Sequence, residues 1–514
     1  MKILVSGYLI RKPVAGLAWH YGQYLVGLQR LGHDVLYVED SEDLLGNVDA
    51  SLGYAQDVFR YLGLRHDWAF FDFGANAWKG PAAGSARKSL SDADFLISLS
   101  GPPVVMEWFQ NVPVRIFVDT DPVFTQAKTI NYPAWSERCS AHTYLASFGE
   151  NINRRGSGIP RDGLAWQPTR QPIVLDLWDN RQSARPVFTT IMSWKSYAPA
   201  QANGARFGVK ADTFDPFKSI PTRTSARLEI ALDAEEEVQT DLAAHGWGIS
   251  SARSISATAD RYKAYIQSSF GEFTVAKQAY VESRSGWFSE RSACYLASGR
   301  PVITQDTGFS TWLDCDRGVL SFRSPEDALA ALESVTGSYD IHADAARELA
   351  GYFDSASVLQ QLLDNAQSSA PPGPLPDSPA ALNREAYRSI IRQIETTVPE
   401  GASLVLIDDR QSGLFGYLGR RRVFPFLEKH GQYWGSPQDS DQAIGELHRL
   451  MALGADHLVV LEASRWWFDF YVGFWEFVSA HGAVALQTGQ LTIVKLNPCE
   501  QERTTERELQ VATE

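Results

Sequence analysis

The chain has 514 residues, 44% of them hydrophobic, and a formal charge of −14. That length admits about three domains, and the acidic balance argues against broad binding to nucleic acid or anionic membranes, so any basic site must be a local pocket. Four cysteines, Cys139, Cys294, Cys315 and Cys499, lie far apart with no CxxC pair, which argues against a zinc site or a disulfide framework and fits a reducing compartment.

In chain order, MKILVSGYL carries one lysine and no apolar core before a cleavage site, so it does not read as a signal peptide. No uncharged run reaches the roughly 20 apolar residues of a membrane span. The expectation is a cytoplasmic protein with no integral membrane segment and no nucleic-acid partner. KILVS at 2–6 predicts a strand ending at Gly7. Leu17, Tyr21, Tyr24, Leu25, Leu28 and Leu31 mark a helix closed by Gly32, and DVLYVED follows as a second strand. This β-loop-α-β unit predicts a parallel sheet with a right-handed crossover. FLISLS (95–100), VRIFVD (114–119) and TYLAS (143–147) extend it into a doubly wound α/β domain over 1–165.

Gln167 to Pro186 reads as a connection. A second α/β domain is expected over 186–368, with strands VFTTIMS (187–193), RLEIAL (227–232) and GVLSF (318–322), and helices near 234–245, 258–268 and 325–365. PPGPLPDSP places five prolines in nine residues, and 369–380 is assigned as a linker. SLVLIDD (403–409), HLVVLEA (457–463) and LTIVKL (491–496) then predict a smaller accessory α/β domain over 381–497, followed by a frayed charged tail. Within it, RWWFDFYVGFWEF (465–477) reads as a core helix, with sugar stacking by Trp466 or Trp467 as the sharper alternative. GQYWGSPQDSDQAIGEL (431–447) reads as a loop and a helix capped near Asp439.

SGWFSERSACYLASGRPVITQDTGF (285–309) carries the most local information. Ser289 suits an N-cap, and Glu290 suits the first turn, where the helix dipole favours negative charge. Ala293, Leu296 and Ala297 form a small apolar face, Gly299 stops the helix, and Pro301 to Thr304 read as a buried strand. A glycine-flanked helix start offers unpaired N–H groups and partial positive charge, which suits a phosphate.

Residues 270–309, with Leu296-Ala297-Ser298-Gly299-Arg300-Pro301-Val302-Ile303 in the place of an "A-x-G-x-P-V-I" segment, resemble the nucleotide-sugar region of GT-B glycosyltransferases. MKILVSGYL…GLQRLGHDVLYVED is similar to their start, and the resemblance spans about residues 1–365. It implies two tandem Rossmann-like lobes with an added C-terminal α/β domain. It further implies transfer of a sugar from a nucleotide-sugar donor to an unknown acceptor. The nucleotide sugar is a substrate, so no cofactor is expected, and such enzymes generally manage without an essential metal. Many retaining members carry two glutamates eight residues apart; here those positions hold Gly286 and Cys294, so the stereochemical outcome stays open. Asp119-Thr120-Asp121 matches a metal-binding triplet but ends a strand of the first domain, where capping or acceptor contact competes with a metal role; none is assigned.

The resemblance points to Gly286, Trp287, Phe288, Ser289 and Arg291 as donor contacts, with Arg291 reaching a phosphate, against ordinary capping around a packed Trp-Phe pair. Asp306, Thr307 and Gly308 end a strand where α/β sheets bind ligands, or form a plain turn. Lys195 and Lys277 are candidate pyrophosphate cations or surface lysines. His20 is a candidate general base or an inter-lobe histidine, and Glu290 is a candidate catalytic carboxylate or a first-turn charge. A catalytically inactive binding module and a nucleotide-sugar epimerase remain as alternative readings. A dinucleotide oxidoreductase fits poorly, since the first β-α turn lacks G-x-G-x-x-G.

Overall fold

The computed structural model describes residues 1–514 except 42–47, 73–74, 104, 181–182, 195–197, 370–378, 409–413, 415–417, 419–420, 430–431, 434–435 and 498–514, with backbone alone for 379–384, 429 and 432–433. The expected linker and charged tail fall largely on residues outside the described ones, as does Lys195. The chain separates into two compact units, 1–129 with 138–375, and 130–137 with 376–514.

The first unit contains two parallel sheets. In the N-terminal lobe the strands are β1 (Lys2–Ser6), β2 (Asp34–Asp40), β3 (Trp68–Asp72), β4 (Ala77–Lys79), β5 (Phe95–Leu99), β6 (Val114–Asp119), β7 (Tyr144–Ser147) and β8 (Trp166–Pro168). They pair in the order β4-β3-β2-β1-β5-β6-β7-β8, and β4 alone runs antiparallel to its neighbour. β3 and β5 are buried along their whole length, as expected where helices cover both faces of a parallel sheet.

The second lobe adds β9 (Val187–Ser193), a hairpin of β10 (Ala200–Ala202) and β11 (Ala205–Phe207), then β12 (Arg227–Asp233), β13 (Gly248–Ser251), β14 (Gly271–Thr274), β15 (Val302–Gln305) and β16 (Val319–Phe322). Its sheet order is β13-β12-β9-β14-β15-β16, parallel throughout. Each sheet reverses its strand order once, beside β1 in the first lobe and beside β9 in the second. Crevices at such points, beyond the carboxyl ends of the strands, are where open α/β sheets bind ligands.

Two helices tie the lobes together. The first, Ala15–Arg30, buries Tyr21, Tyr24, Leu25 and Leu28 in the N-terminal core. The last, Ser355–Ser368, lies in the stretch assigned from sequence to the second domain, yet it packs Leu359, Leu362, Leu363 and Ala366 into that same N-terminal core. Gly27 permits this crossing, since a Cβ there would meet Leu359 Cδ1 at 2.6 Å.

The second unit holds a mixed five-stranded sheet ordered 422–425, 403–407, 457–461, 491–496, 482–487. Residues 130–137, assigned from sequence to the N-terminal domain, belong here: Ala134 is buried with Tyr387, Ile394 and Leu404, and Glu137 accepts from Arg388 at 2.6 Å. The aromatic run is two helices rather than one core helix. Trp466–Phe470 and Val472–His481 meet at Tyr471, whose backbone leaves the helical region (φ −101°, ψ 62°) while its hydroxyl donates to Pro437 O at 2.6 Å. Trp467 is fully buried, which removes it from any sugar-stacking role, whereas Phe470 is 68% exposed. Asp439 caps the helix Ser440–Ala452 by accepting from Gln442 N at 2.8 Å.

Candidate active site

The helix Glu290–Ala297 starts at the wall of a cleft of about 700 Å³ that the two lobes of the first unit share. Its residues Ala293, Cys294, Tyr295, Leu296 and Ala297 are buried in the second lobe's core, and Gly299 ends it with φ 66°, so the start is anchored from behind. Ser289 occupies the N-cap with extended backbone but its side chain makes no capping bond, contrary to the sequence expectation. The first intrahelical bond runs from Ala293 N to Ser289 O. Among the described residues, the N–H groups of Glu290, Arg291 and Ser292 meet no acceptor. These are the orphan donors every helix start leaves, and here they border open space.

Three cations stand beside them. Glu272, on β14, is fully buried, and Arg291 answers it with Nε at 2.6 Å; NH1 donates to Ile191 O at 2.6 Å and NH2 to Thr274 Oγ1 at 3.2 Å. The guanidinium is therefore largely committed to its own lobe. Lys277 Nζ lies 3.1 and 3.2 Å from the Asp121 carboxylate oxygens of the opposite lobe and 3.1 Å from Tyr280 OH. Lys210, in the short turn Lys210–Asp212, lines the cleft with no ion-pair partner among the described residues. Burial, then the positive charges of Arg291 and Lys277, hold its ammonium well below the usual lysine range, with Glu272 opposing. A cationic cluster of this kind is relieved by an anion.

The opposite wall is lined by His20, Ser100, Thr120 and Tyr8 rather than by cations. His20 projects from the first helix, 7% exposed, with Nε2 3.3 Å from Ser100 Oγ and Nδ1 3.7 Å from Glu290 Oε2. Burial lowers its pKa to about 4. Burial raises Glu290 to about 8, with Arg291 opposing. At neutral pH both groups are uncharged. Ser100 follows β5 at the point where the strand order reverses. It holds φ at 64°, uncommon for a residue with a side chain and frequent at functional sites, and its hydroxyl meets Thr120 Oγ1 at 2.7 Å. Tyr8 OH donates to Ser100 O at 3.3 Å.

Of the residues singled out from sequence, His20, Lys277, Trp287, Ser289, Glu290 and Arg291 line the cleft. Gly286, Phe288, Asp306, Thr307 and Gly308 do not. Phe288 is buried, stacked on Phe353 with centroids 5.4 Å apart. Asp306 accepts from Gly308 N at 2.8 Å, Ser310 Oγ at 3.0 Å and Arg323 NH2 at 2.6 Å, and so fastens its own turn. Asp119 accepts from Asp121 N, Gln126 Nε2 and Ser147 Oγ within 3.0 Å, the strand-end capping expected of it. Lys210, Ser100 and Tyr8 were missed, and Thr120 was named only within the Asp119-Thr120-Asp121 triplet. Tyr8 and Ser100 directly follow strands that were legible, so their place at the reversal points was the available signal; Lys210 sits beyond a hairpin that leaves no pattern.

Among the described residues no group of three or more His, Cys, Asp and Glu side chains could hold a metal ion, and no helix is long and apolar enough to cross a membrane. No protein-family model and no curated protein matches the sequence. Among solved structures, similar chains include an alpha-glucosyltransferase in complex with UDP (10% identity, 72% of this chain and 100% of that chain, TM-score 0.49). They also include Anabaena HepE in complex with UDP and glucose (11% identity, 72% and 100%, TM-score 0.44) and AviGT4, a glycosyltransferase involved in avilamycin A biosynthesis (11% identity, 71% and 97%, TM-score 0.41). Two parallel sheets presenting their carboxyl edges to one cleft, with the last helix returning to the first lobe, give this chain the GT-B fold with an added C-terminal α/β region.

Proposed function

We propose that the chain is a glycosyltransferase that moves a sugar from a nucleoside-diphosphate donor to an acceptor hydroxyl. The observation that carries this reading is the open start of the helix Glu290–Ala297. Its three N–H groups, with no acceptor among the described residues, share the cleft with Lys210, which has no ion-pair partner among them, across from an uncharged His20. Helix amides and a lysine suit a diphosphate, whose negative charge grows as it leaves. The acceptor oxygen attacks C1 of the sugar while the bond from C1 to the phosphate oxygen breaks, and the electron pair departs with the diphosphate. The hydroxyl proton passes to the neutral imidazole of His20. The new positive charge on His20 then favours ionisation of Glu290, 3.7 Å away, which gives its proton to water, and the resulting carboxylate stabilises the imidazolium. In this reading protein groups alone meet the leaving group's charge, so activity should survive EDTA.

Thermal shift with UDP, ADP and GDP provides the first test: at least one should raise the melting temperature by mass action, and none doing so would contradict the reading. With the matching nucleotide sugar, release of the diphosphate that depends on added acceptor marks a transferase. Sugar isomerisation without release would mark an epimerase, and binding without either reaction an inactive module.

A further inference from the structure

Asn151, in the loop after β7, reaches from the N-terminal lobe into the second lobe and is 4% exposed. Its backbone N–H donates to Ser285 O at 3.0 Å. Its side-chain amide donates to Arg284 O and Gly308 O, each at 3.0 Å, and its Oδ1 accepts from Thr311 Oγ1 at 3.0 Å. Both amide protons and the amide oxygen are thus used. The receiving loops are shaped around it: Arg284, Gly286 and Gly308 all take positive φ, at 49°, 77° and 92°. A Cβ on Gly286 would lie 2.8 Å from Asn151 Cγ, and one on Gly308 would lie 2.9 Å from Asn151 Nδ2. These two glycines, assigned to the donor from sequence, instead clear the space that Asn151 fills. Gly286 N donates to Thr307 O at 2.9 Å, and Trp312 Nε1 donates to Gly286 O at 3.0 Å, so the two receiving loops are locked to each other as well.

We infer that Asn151 is a positioning residue: it pins the segment 284–289 to the N-terminal lobe and thereby sets where the open helix start at Glu290 faces the cleft. Fully satisfied buried polar groups specify one geometry, whereas an unmet carbonyl at the same place is costly. Without the amide, the Arg284 carbonyl loses its donor, the Gly308 carbonyl keeps only those of Thr311, and the segment loosens. The consequence for ligand affinity rests on the proposed donor site; the pinning itself does not.

The experiment compares the full-length wild type with Asn151→Ala, Asn151→Asp and Thr311→Val. Amide hydrogen exchange without ligand is read alongside calorimetric titrations with UDP, ADP and GDP. Asn151→Ala and Asn151→Asp should speed exchange in peptides covering 284–293 and 307–313 while leaving β1 and β5 unchanged. They should also weaken the diphosphate that wild type binds by about tenfold. Thr311→Val, a milder change that removes only the hydroxyl shared between Asn151 Oδ1 and Gly308 O, should shift both readouts in the same direction by less. Unchanged exchange in those peptides, or equal acceleration across both lobes, overturns the inference. Equal affinity of wild type and Asn151→Ala also overturns it while leaving the functional reading intact. Absence of binding to wild type sinks the functional reading alone, and exchange then decides the positioning role.

Discussion

The two walls of the cleft are built alike, each from the carboxyl edge of a parallel sheet at the point where its strand order reverses, yet they differ in charge. The second-lobe wall gathers Lys210, Lys277, Arg291 and an open helix start. The first-lobe wall offers Tyr8, His20, Ser100 and Thr120, all uncharged at neutral pH. Their helix starts differ too. Val14 before the first helix makes no side-chain cap, but the Ala15 N–H is met by Ser256 O from across the cleft at 3.0 Å, whereas no acceptor among the described residues meets Glu290, Arg291 or Ser292. In the proposed reading, one fold motif, used twice, supplies anion binding on one side and proton transfer on the other, and the division follows from a few side chains rather than from topology.

Removing the proposed proton acceptor should have the largest effect. His20→Ala is expected to lower kcat by about 10²–10⁴-fold with the affinity for a nucleoside diphosphate unchanged, as rate assays and calorimetry would show; equal loss in both would mean that His20 belongs to the anion wall. Arg291→Ala should act first on stability. It leaves Glu272 buried without its partner, which costs about 3–5 kcal/mol in denaturant unfolding. Lys210→Ala should weaken the nucleoside diphosphate by about 10–100-fold with little change in unfolding, the reverse of the Arg291 result.

The smallest effect joins the walls. Glu290 has a folded pKa of about 8, above its ordinary 4.5, so its contribution to stability is full below about 4.5 and is lost as pH rises toward 8. Glu290→Gln should therefore flatten the decline of the melting temperature between about pH 4.5 and pH 8. His20, lowered to about 4, contributes in the opposite sense, and its share is lost as pH falls from 6.5 toward 4.

The fold class was legible because the strands around the reversal points are short, apolar and followed by clear turns: KILVS, DVLYVED and VRIFVD coincide with β1, β2 and β6. β14 was not legible, since a glutamate at its second position hides a buried strand, and only the distant Arg291 explains how it is tolerated. β13, with GISS, lacks an apolar run altogether. Within the site, the helix start at Ser289 was readable from local chemistry. Lys210 was not, because its importance comes from neighbours far away in sequence. Gly286 and Gly308 show the limit of motif reading. Both were read from sequence as donor contacts, but what their missing side chains make room for is Asn151, more than a hundred residues earlier.

The central claim is that the amides opening the helix Glu290–Ala297 hold a diphosphate. A crystal structure with a bound nucleoside diphosphate tests it most directly. Phosphate oxygens are expected within about 2.7–3.2 Å of the N–H groups of Glu290 to Ser292, with Lys210 Nζ turned toward them. A diphosphate bound elsewhere, with those three amides left to water, would contradict it.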